Sequence, residues 1–146
     1  MKSKGFTLIE LLVTIAIIAI LVALSLFALR GVREQGRDAR RKGDLEQIRS
    51  AVELYKADCN DYPAALSSPL VGDGNPASCA IANTYTRTIP QDPGSPTRVY
   101  YYFRPTATTY VLCAALENPP SPAMDLTGCT GAANCGVACN YKVTNP

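Results

Sequence analysis

The 146-residue chain contains no histidine and no tryptophan. Without histidine there is no Ser-His-Asp or Cys-His nucleophile arrangement, no imidazole metal ligand, and no general base whose ordinary pKa lies near neutrality. Most catalytic chemistry is thereby excluded, so the chain is read as a non-enzyme, with no catalytic residue, metal ligand or cofactor assigned. Excess charge is scarce as well. Lys and Arg number 14 against 12 Asp and Glu, a formal net charge of +2 that Lys2 and Lys4 alone account for. Bulk electrostatics of that size do not suit a nucleic-acid binder. No CxxC pair of the zinc-ribbon kind occurs, although there are 6 cysteines, an even and high count that suits disulfides in an oxidising compartment. The length allows one small domain with an appendage.

Apolar residues are concentrated at one end. Leu11 to Leu29 reads LLVTIAIIAILVALSLFAL, 19 residues whose only polar members are Thr14 and Ser25. As a helix this run is about 28 Å long, close to the roughly 30 Å hydrocarbon core of a bilayer. Arg30 closes it. The segment that follows carries Arg30, Arg33, Arg37, Arg40, Arg41 and Lys42 against Glu34 and Asp38, with Asp44 just beyond. From Leu45 the apolar positions Leu45, Ile48, Val52, Tyr55 and Cys59 recur at steps of three and four, which is one stripe on an amphipathic helix. Arg49, Glu53 and Lys56 fall on the other side, spaced for weak exposed ion pairs among themselves. Gly31, Gly36 and Gly43 each weaken the helix by about 1 kcal/mol relative to alanine and predict bending or local melting there.

After Asn60 the texture changes to Pro, Gly, Ser, Thr and Tyr. Asp61-Tyr62-Pro63 stops the helix, because a residue before proline is pushed out of the α region. Six prolines between Pro63 and Pro96 predict a loop-rich stretch with little regular structure. Arg98–Phe103 and Thr108–Leu116 read as strands of a hairpin joined through Arg104-Pro-Thr-Ala107, and Val137–Val143 as a third. In the run Tyr100-Tyr101-Tyr102-Phe103 alternate rings take opposite faces. One face is expected in the core and the other at ordinary surface, with a subunit contact or adhesive patch as the sharper alternative. Residues 59–146 are few enough for staples to help them fold. Cys59, Cys79, Cys113, Cys129, Cys135 and Cys139 allow fifteen pairings, among which sequence cannot choose. The favoured set joins Cys59 to Cys79, Cys113 to one tail cysteine, and the other two to each other.

The sharpest motif comes first in the chain. A basic leader, Met1 to Gly5, runs directly into Phe6-Thr7-Leu8-Ile9-Glu10 and the apolar helix. Glu10 is the anomaly, since a carboxylate beside a bilayer-length apolar run is costly unless solvated at headgroup level or partnered. Lys-Gly followed by Phe-Thr-Leu-Ile-Glu and a long apolar helix resembles the class III leader of type IV pilins and type II secretion pseudopilins. The resemblance implies cleavage after Gly5 by a prepilin peptidase and methylation of the Phe6 amine. It implies assembly through Phe6, Thr7, Leu8, Ile9 and Glu10, with Glu10 meeting the positive N-terminus of a neighbouring subunit. The implied organisation is leader 1–5, transmembrane and assembly helix 6–29, amphipathic continuation 30–58, and a disulfide-rich β domain 59–146. The fold class is α+β: a long N-terminal helix with a small antiparallel sheet packed on its second half, the pilin lollipop. DLEQIRSAVELYKADCNDYP (44–63) and TIPQDP (88–93) resemble the helix end and loop of major pseudopilins.

Departures from the family pattern matter too. No proline lies between Leu24 and Leu29, so a melted segment would use Gly31 or Gly36. The tail offers only Glu117 and Asp125 rather than an acidic loop, so no calcium site is transferred, and these acids are read as solvated. The cationic stretch after the span is read as a solvated, ion-paired exit from the membrane, with lipid headgroups or DNA as sharper alternatives. It conflicts with the positive-inside rule, because a pilin keeps Lys2 and Lys4 in the cytoplasm and this stretch outside. The resulting expectation is a structural subunit of a pilus-like extracellular filament, a single-pass membrane protein before assembly. Its partners would be identical subunits, the peptidase, an inner-membrane assembly platform and membrane lipid. One alternative is a type II secretion pseudopilin. Another is a secreted disulfide-rich domain whose signal peptide is cut near Ala23-Leu24-Ser25.

Overall fold

A computed structural model describes residues 5–131 and 133–146, so Lys2, Lys4 and the rest of the leader before Gly5 lie outside the described residues. The chain divides into two compact units, one ending at Gly36 and the other Arg37–Pro146. Helix α1, Leu8–Cys59, spans 52 residues. In the first unit it is the only element among the described residues, and the apolar side chains described there are exposed. Gly31, Gly36 and Gly43 are helical like their neighbours, so the chain by itself is not melted at any of them. A Cβ at any of the three would meet nothing within 4 Å. The helix stops at Asn60, whose φ of 62° is left-handed, a conformation in which Asn serves as a helix terminator.

The second unit is built on the stripe. Leu45, Ile48, Val52, Tyr55 and Cys59 are all at most 5% exposed. Strands β3 (Tyr101–Thr106), β4 (Thr109–Ala114) and β5 (Tyr141–Thr144) form an antiparallel sheet in the order β3-β4-β5. The hairpin turn is tighter than the sequence predicts. Arg104 and Pro105 belong to β3, and the register slips between Phe103 and Thr106. Proline is tolerated there because β3 is an edge strand. β1 (Leu70–Val71) and β2 (Thr84–Thr86) pair as a small ribbon within the proline-rich stretch, where little regular structure was expected.

Period-two alternation along β4 assigns its two faces. Tyr110, Leu112 and Ala114 pack with Leu45, Ile48, Val52 and Tyr62. Fully burying each such aliphatic side chain contributes about 1.5–3 kcal/mol. Val111, Cys113 and Ala115 face the other way, into a cluster with Cys129, Cys135 and Cys139. Disulfides join Cys59 to Cys79, Cys113 to Cys129 and Cys135 to Cys139. The last two form a sulfur-rich layer behind the sheet, where a larger protein would place another apolar element. Gly136 has φ +76°, and a Cβ there would lie 2.3 Å from the Thr97 carbonyl oxygen, so this turn requires glycine. Tyr102 packs on the helix side and Tyr101 on the disulfide side, which leaves Phe103, 41% exposed, as the outward ring of the run. Long helix, small antiparallel sheets and disulfides make the α+β, pilin-like fold expected from the resemblance.

Candidate assembly site

The start of α1 is a capping box. Thr7 Oγ1 accepts from the Glu10 backbone N–H at 3.3 Å, while Glu10 Oε2 accepts from the Thr7 N–H at 2.9 Å and the Thr7 hydroxyl at 2.7 Å. Thr-x-x-Glu ahead of an apolar run is the sequence signature of that motif, and the Glu10 carboxylate is partnered within its own chain. Around it the surface is apolar and open: Phe6 is 76% exposed, Leu8 81% and Ile9 69%. Gly5 precedes this turn with nothing within 4 Å of where a Cβ would sit. α1 contains an 18-residue window of mean hydropathy 3.0, none of it buried. By length and composition it can cross a membrane.

The polar side of the second unit contains a group that sequence reasoning missed. Arg41, with its side chain 1% exposed, is the hub: Nε donates to Asp92 Oδ2 at 2.9 Å and Nη1 to Asp38 Oδ1 at 2.7 Å. Nη1 also donates to Glu117 Oε1 at 2.9 Å. Arg37 Nε donates to the same Glu117 oxygen at 2.7 Å. Asp38 further accepts from the backbone N–H groups of Glu117 and Asn118, and Asp92 from that of Gly94. Burial pushes the Asp38 carboxyl up, but those backbone donors and Arg41 outweigh it, and the net direction is down. Arg37, with Arg41 behind it, holds Glu117 at about 2. Burial disfavours the Arg41 charge, but Asp92, Glu117 and Asp38 overcome this and raise its pKa. The helix is thus tied to the loops at 92–94 and 117–118.

This corrects two expectations. The cationic stretch is not simply solvated, since Asp38 and Arg41 are buried, and Glu117 is ion-paired rather than free in solvent. A signal was available: 38, 41 and 45 continue the three-four spacing of the stripe toward the N-terminus, so its first two members are charged. Asp125 is likewise paired, with Lys142 at 3.0 Å. Glu53 accepts from Tyr62 and Tyr110 hydroxyls instead of pairing with Arg49 or Lys56, while Arg49 lies 3.6 Å from Glu46. Asp92 belongs to the TIPQDP stretch, and its role in that stretch is to meet Arg41. Among the described residues, one group, Cys59, Asp73 and Cys79, places potential metal-ligand atoms within 4.8 Å of one another. Both sulfurs are consumed by the Cys59–Cys79 bond.

Residues 1–26 match the model of the prokaryotic N-terminal methylation motif. The chain is similar to the type II secretion system core protein G of Pseudomonas aeruginosa, with 32% identity over 111 residues covering 71% of this chain and 75% of the relative. The chain belongs to the family of type IV pilins and type II secretion pseudopilins. The core protein G of Pectobacterium carotovorum is 33% identical over 99 residues, and there the match spans 62% of the relative's length, a little under two thirds. A type IV pilin of the family, the wide pilus major component PilA4 of Thermus thermophilus, is 43% identical over 61 residues, 42% of this chain and 47% of the relative. No solved structure matches the chain.

Proposed function

We propose that the protein is the repeating subunit of a pilus-like extracellular filament and is not an enzyme. Its leader is cut after Gly5, Phe6 is N-methylated, and residues 6–29 hold the chain in the membrane until assembly. Phe6, Thr7, Leu8, Ile9 and Glu10 then form the assembly contacts, residues 30–58 continue the helix, and residues 59–146 face solvent. The observation that carries this is a processing motif leading into an apolar helix segment whose surface is exposed along its length. Burying that surface among identical helices supplies the driving force. Glu10 enters the filament already held by Thr7, and the neighbour's N-terminal amine would give its charge a counter-ion in a low-dielectric surround. An inner-membrane assembly platform is the remaining partner.

The test is the mature N-terminus. Mass spectrometry of cell-surface protein should find methylated Phe6 as the first residue, and Gly5→Val should leave the uncleaved form in the membrane without filaments. A start near Leu26 would instead establish the secreted domain. A pseudopilus is the second reading, favoured by the longer matches to core protein G. Filaments on wild-type cells at native expression support the pilus, whereas loss of protein secretion without surface filaments supports the pseudopilus.

A further inference from the structure

The basic stretch after the span carries cations on the side where the positive-inside rule puts few. The structure separates them. Arg37 and Arg41 are engaged by Glu117, Asp38 and Asp92, and Arg40 lies 3.8 Å from Asp44. Lys42 sits over the Tyr141 ring. Arg30 and Arg33 are exposed, and no carboxylate of the described residues lies within ion-pair distance of either. They are one helical turn apart and so share a side of α1.

Depth makes the pair specific. The apolar run ends at Leu29, and each further residue advances about 1.5 Å. Arg30 therefore stands at the edge of the hydrocarbon and Arg33 about 6 Å from Leu29, within the roughly 5–7 Å headgroup layer on each side of a bilayer. Lipid phosphates occupy that layer. A guanidinium binds phosphate through two parallel N–H donors and keeps its charge at any accessible pH.

We propose that Arg30 and Arg33 form a docking patch for the headgroup phosphates of anionic phospholipid in the leaflet where the span ends. The proposal rests on the membrane-inserted state of residues 6–29. It accounts for the unpaired cations: the subunit is retained in an anionic leaflet before assembly, and incorporation into the filament exchanges lipid contacts for subunit contacts. Two exposed guanidiniums on one helical turn suit a lipid surface better than nucleic acid, because without Lys2 and Lys4 the remaining charges balance, 12 Lys and Arg against 12 Asp and Glu.

The chain has no tryptophan, so Leu29→Trp gives a single fluorescent reporter at an exposed position. The processed full-length chain is reconstituted into phosphatidylcholine vesicles containing phosphatidylglycerol, with one or the other lipid brominated. Phosphatidylglycerol is expected to quench beyond its bulk fraction, with an enrichment of about five-fold for each arginine, the equivalent of about 1 kcal/mol. Arg30→Gln with Arg33→Gln should abolish the enrichment while quenching by phosphatidylcholine, and hence insertion, persists. Equal association with both lipids in the Leu29→Trp chain that keeps both arginines would overturn the proposal and point to acidic partners on a second copy. Enrichment surviving in the double variant would overturn it too. Failure of either lipid to quench the reporter would remove the membrane reading and the proposal together.

Discussion

The two units treat apolar and charged residues in opposite ways. In residues 5–36 the described apolar side chains are exposed, and the one acid near the start is satisfied by its own N-terminal turn. In Arg37–Pro146 apolar residues keep to a stripe that a sheet covers, and acids from two distant loops converge on a buried arginine. The second unit is self-sufficient: no buried side-chain nitrogen or oxygen among the described residues lacks a hydrogen-bond partner. The first is not, because that much apolar surface needs lipid or protein around it. Folding information thus sits mainly after Arg37, and on the proposed reading assembly information lies before it, so substitutions in the two regions should fail in different assays.

Glu10→Gln gives the largest expected effect. On the proposed pairing it should remove filaments, because the neighbour's amine would lose its counter-ion at a cost of roughly 3–5 kcal/mol per subunit. Cleavage after Gly5 and the Tm of the folded unit should not change, and wild-type filament abundance would refute the pairing. Arg41→Met is the mirror experiment. Leaving Asp38 and Asp92 buried without their cation should cost about 3–5 kcal/mol, a fall in Tm of more than about 10 °C. Processing at Gly5 should continue. A Tm within 3 °C of wild type, on the same scale, would show that the hub carries little stability.

Smaller effects sharpen the contrast within the second unit. Replacing Cys113 and Cys129 together by alanine opens a closure of 16 residues and should cost about 3 kcal/mol by the chain-entropy estimate. In the unaltered protein, labelling under denaturing, non-reducing conditions should find no free thiol. Acid acts through Glu117 and Asp38. Both carboxyls are depressed in the folded state, Glu117 to about 2 from 4.5, so their stabilisation is present above the ordinary carboxylate range. It is lost as pH falls through the folded values. After solvent screening the loss from Glu117 should be about 2 kcal/mol between pH 5 and 2. Measured Tm should fall across that window, and Glu117→Gln should flatten the fall.

Periodicity made the helix and its stripe legible, because burial of Leu45, Ile48 and Val52 depends on spacing alone. The β-rich composition locates β3 and β4, but the sequence puts the turn two residues early, since Pro105 reads as a breaker and is accommodated at the sheet edge. The ribbon β1–β2 was hidden: two and three residues are too short for any pattern to show. At the candidate site, Glu10 stands out by the cost of its charge, whereas its bond to Thr7 shows in the sequence only as the Thr-x-x-Glu spacing of a helix cap. The Arg41 hub escaped for a different reason. Its acids come from positions 51 and 76 residues away, and only the folded chain brings such positions together.

The smallest effect separates the capping role of Glu10 from the assembly role proposed for it. As the last member of a capping box, its carboxylate holds the Thr7 N–H, and Thr7 Oγ1 holds the Glu10 N–H. Thr7→Ala removes the hydroxyl and should loosen the first turn of α1 by about 1 kcal/mol, whereas Thr7→Ser keeps the cap. Amide hydrogen exchange at residues 8–11 of the micelle-bound chain should accelerate about five-fold in the alanine variant, the kinetic equivalent of about 1 kcal/mol. It should be unchanged in the serine variant. Filament abundance should drop modestly in Thr7→Ala and remain well above that of Glu10→Gln, because the carboxylate is still present for the neighbouring amine. If Thr7→Ala stops assembly as completely as Glu10→Gln does, then Glu10 acts in assembly chiefly by shaping its own helix terminus, and the neighbour's amine is not the partner that matters.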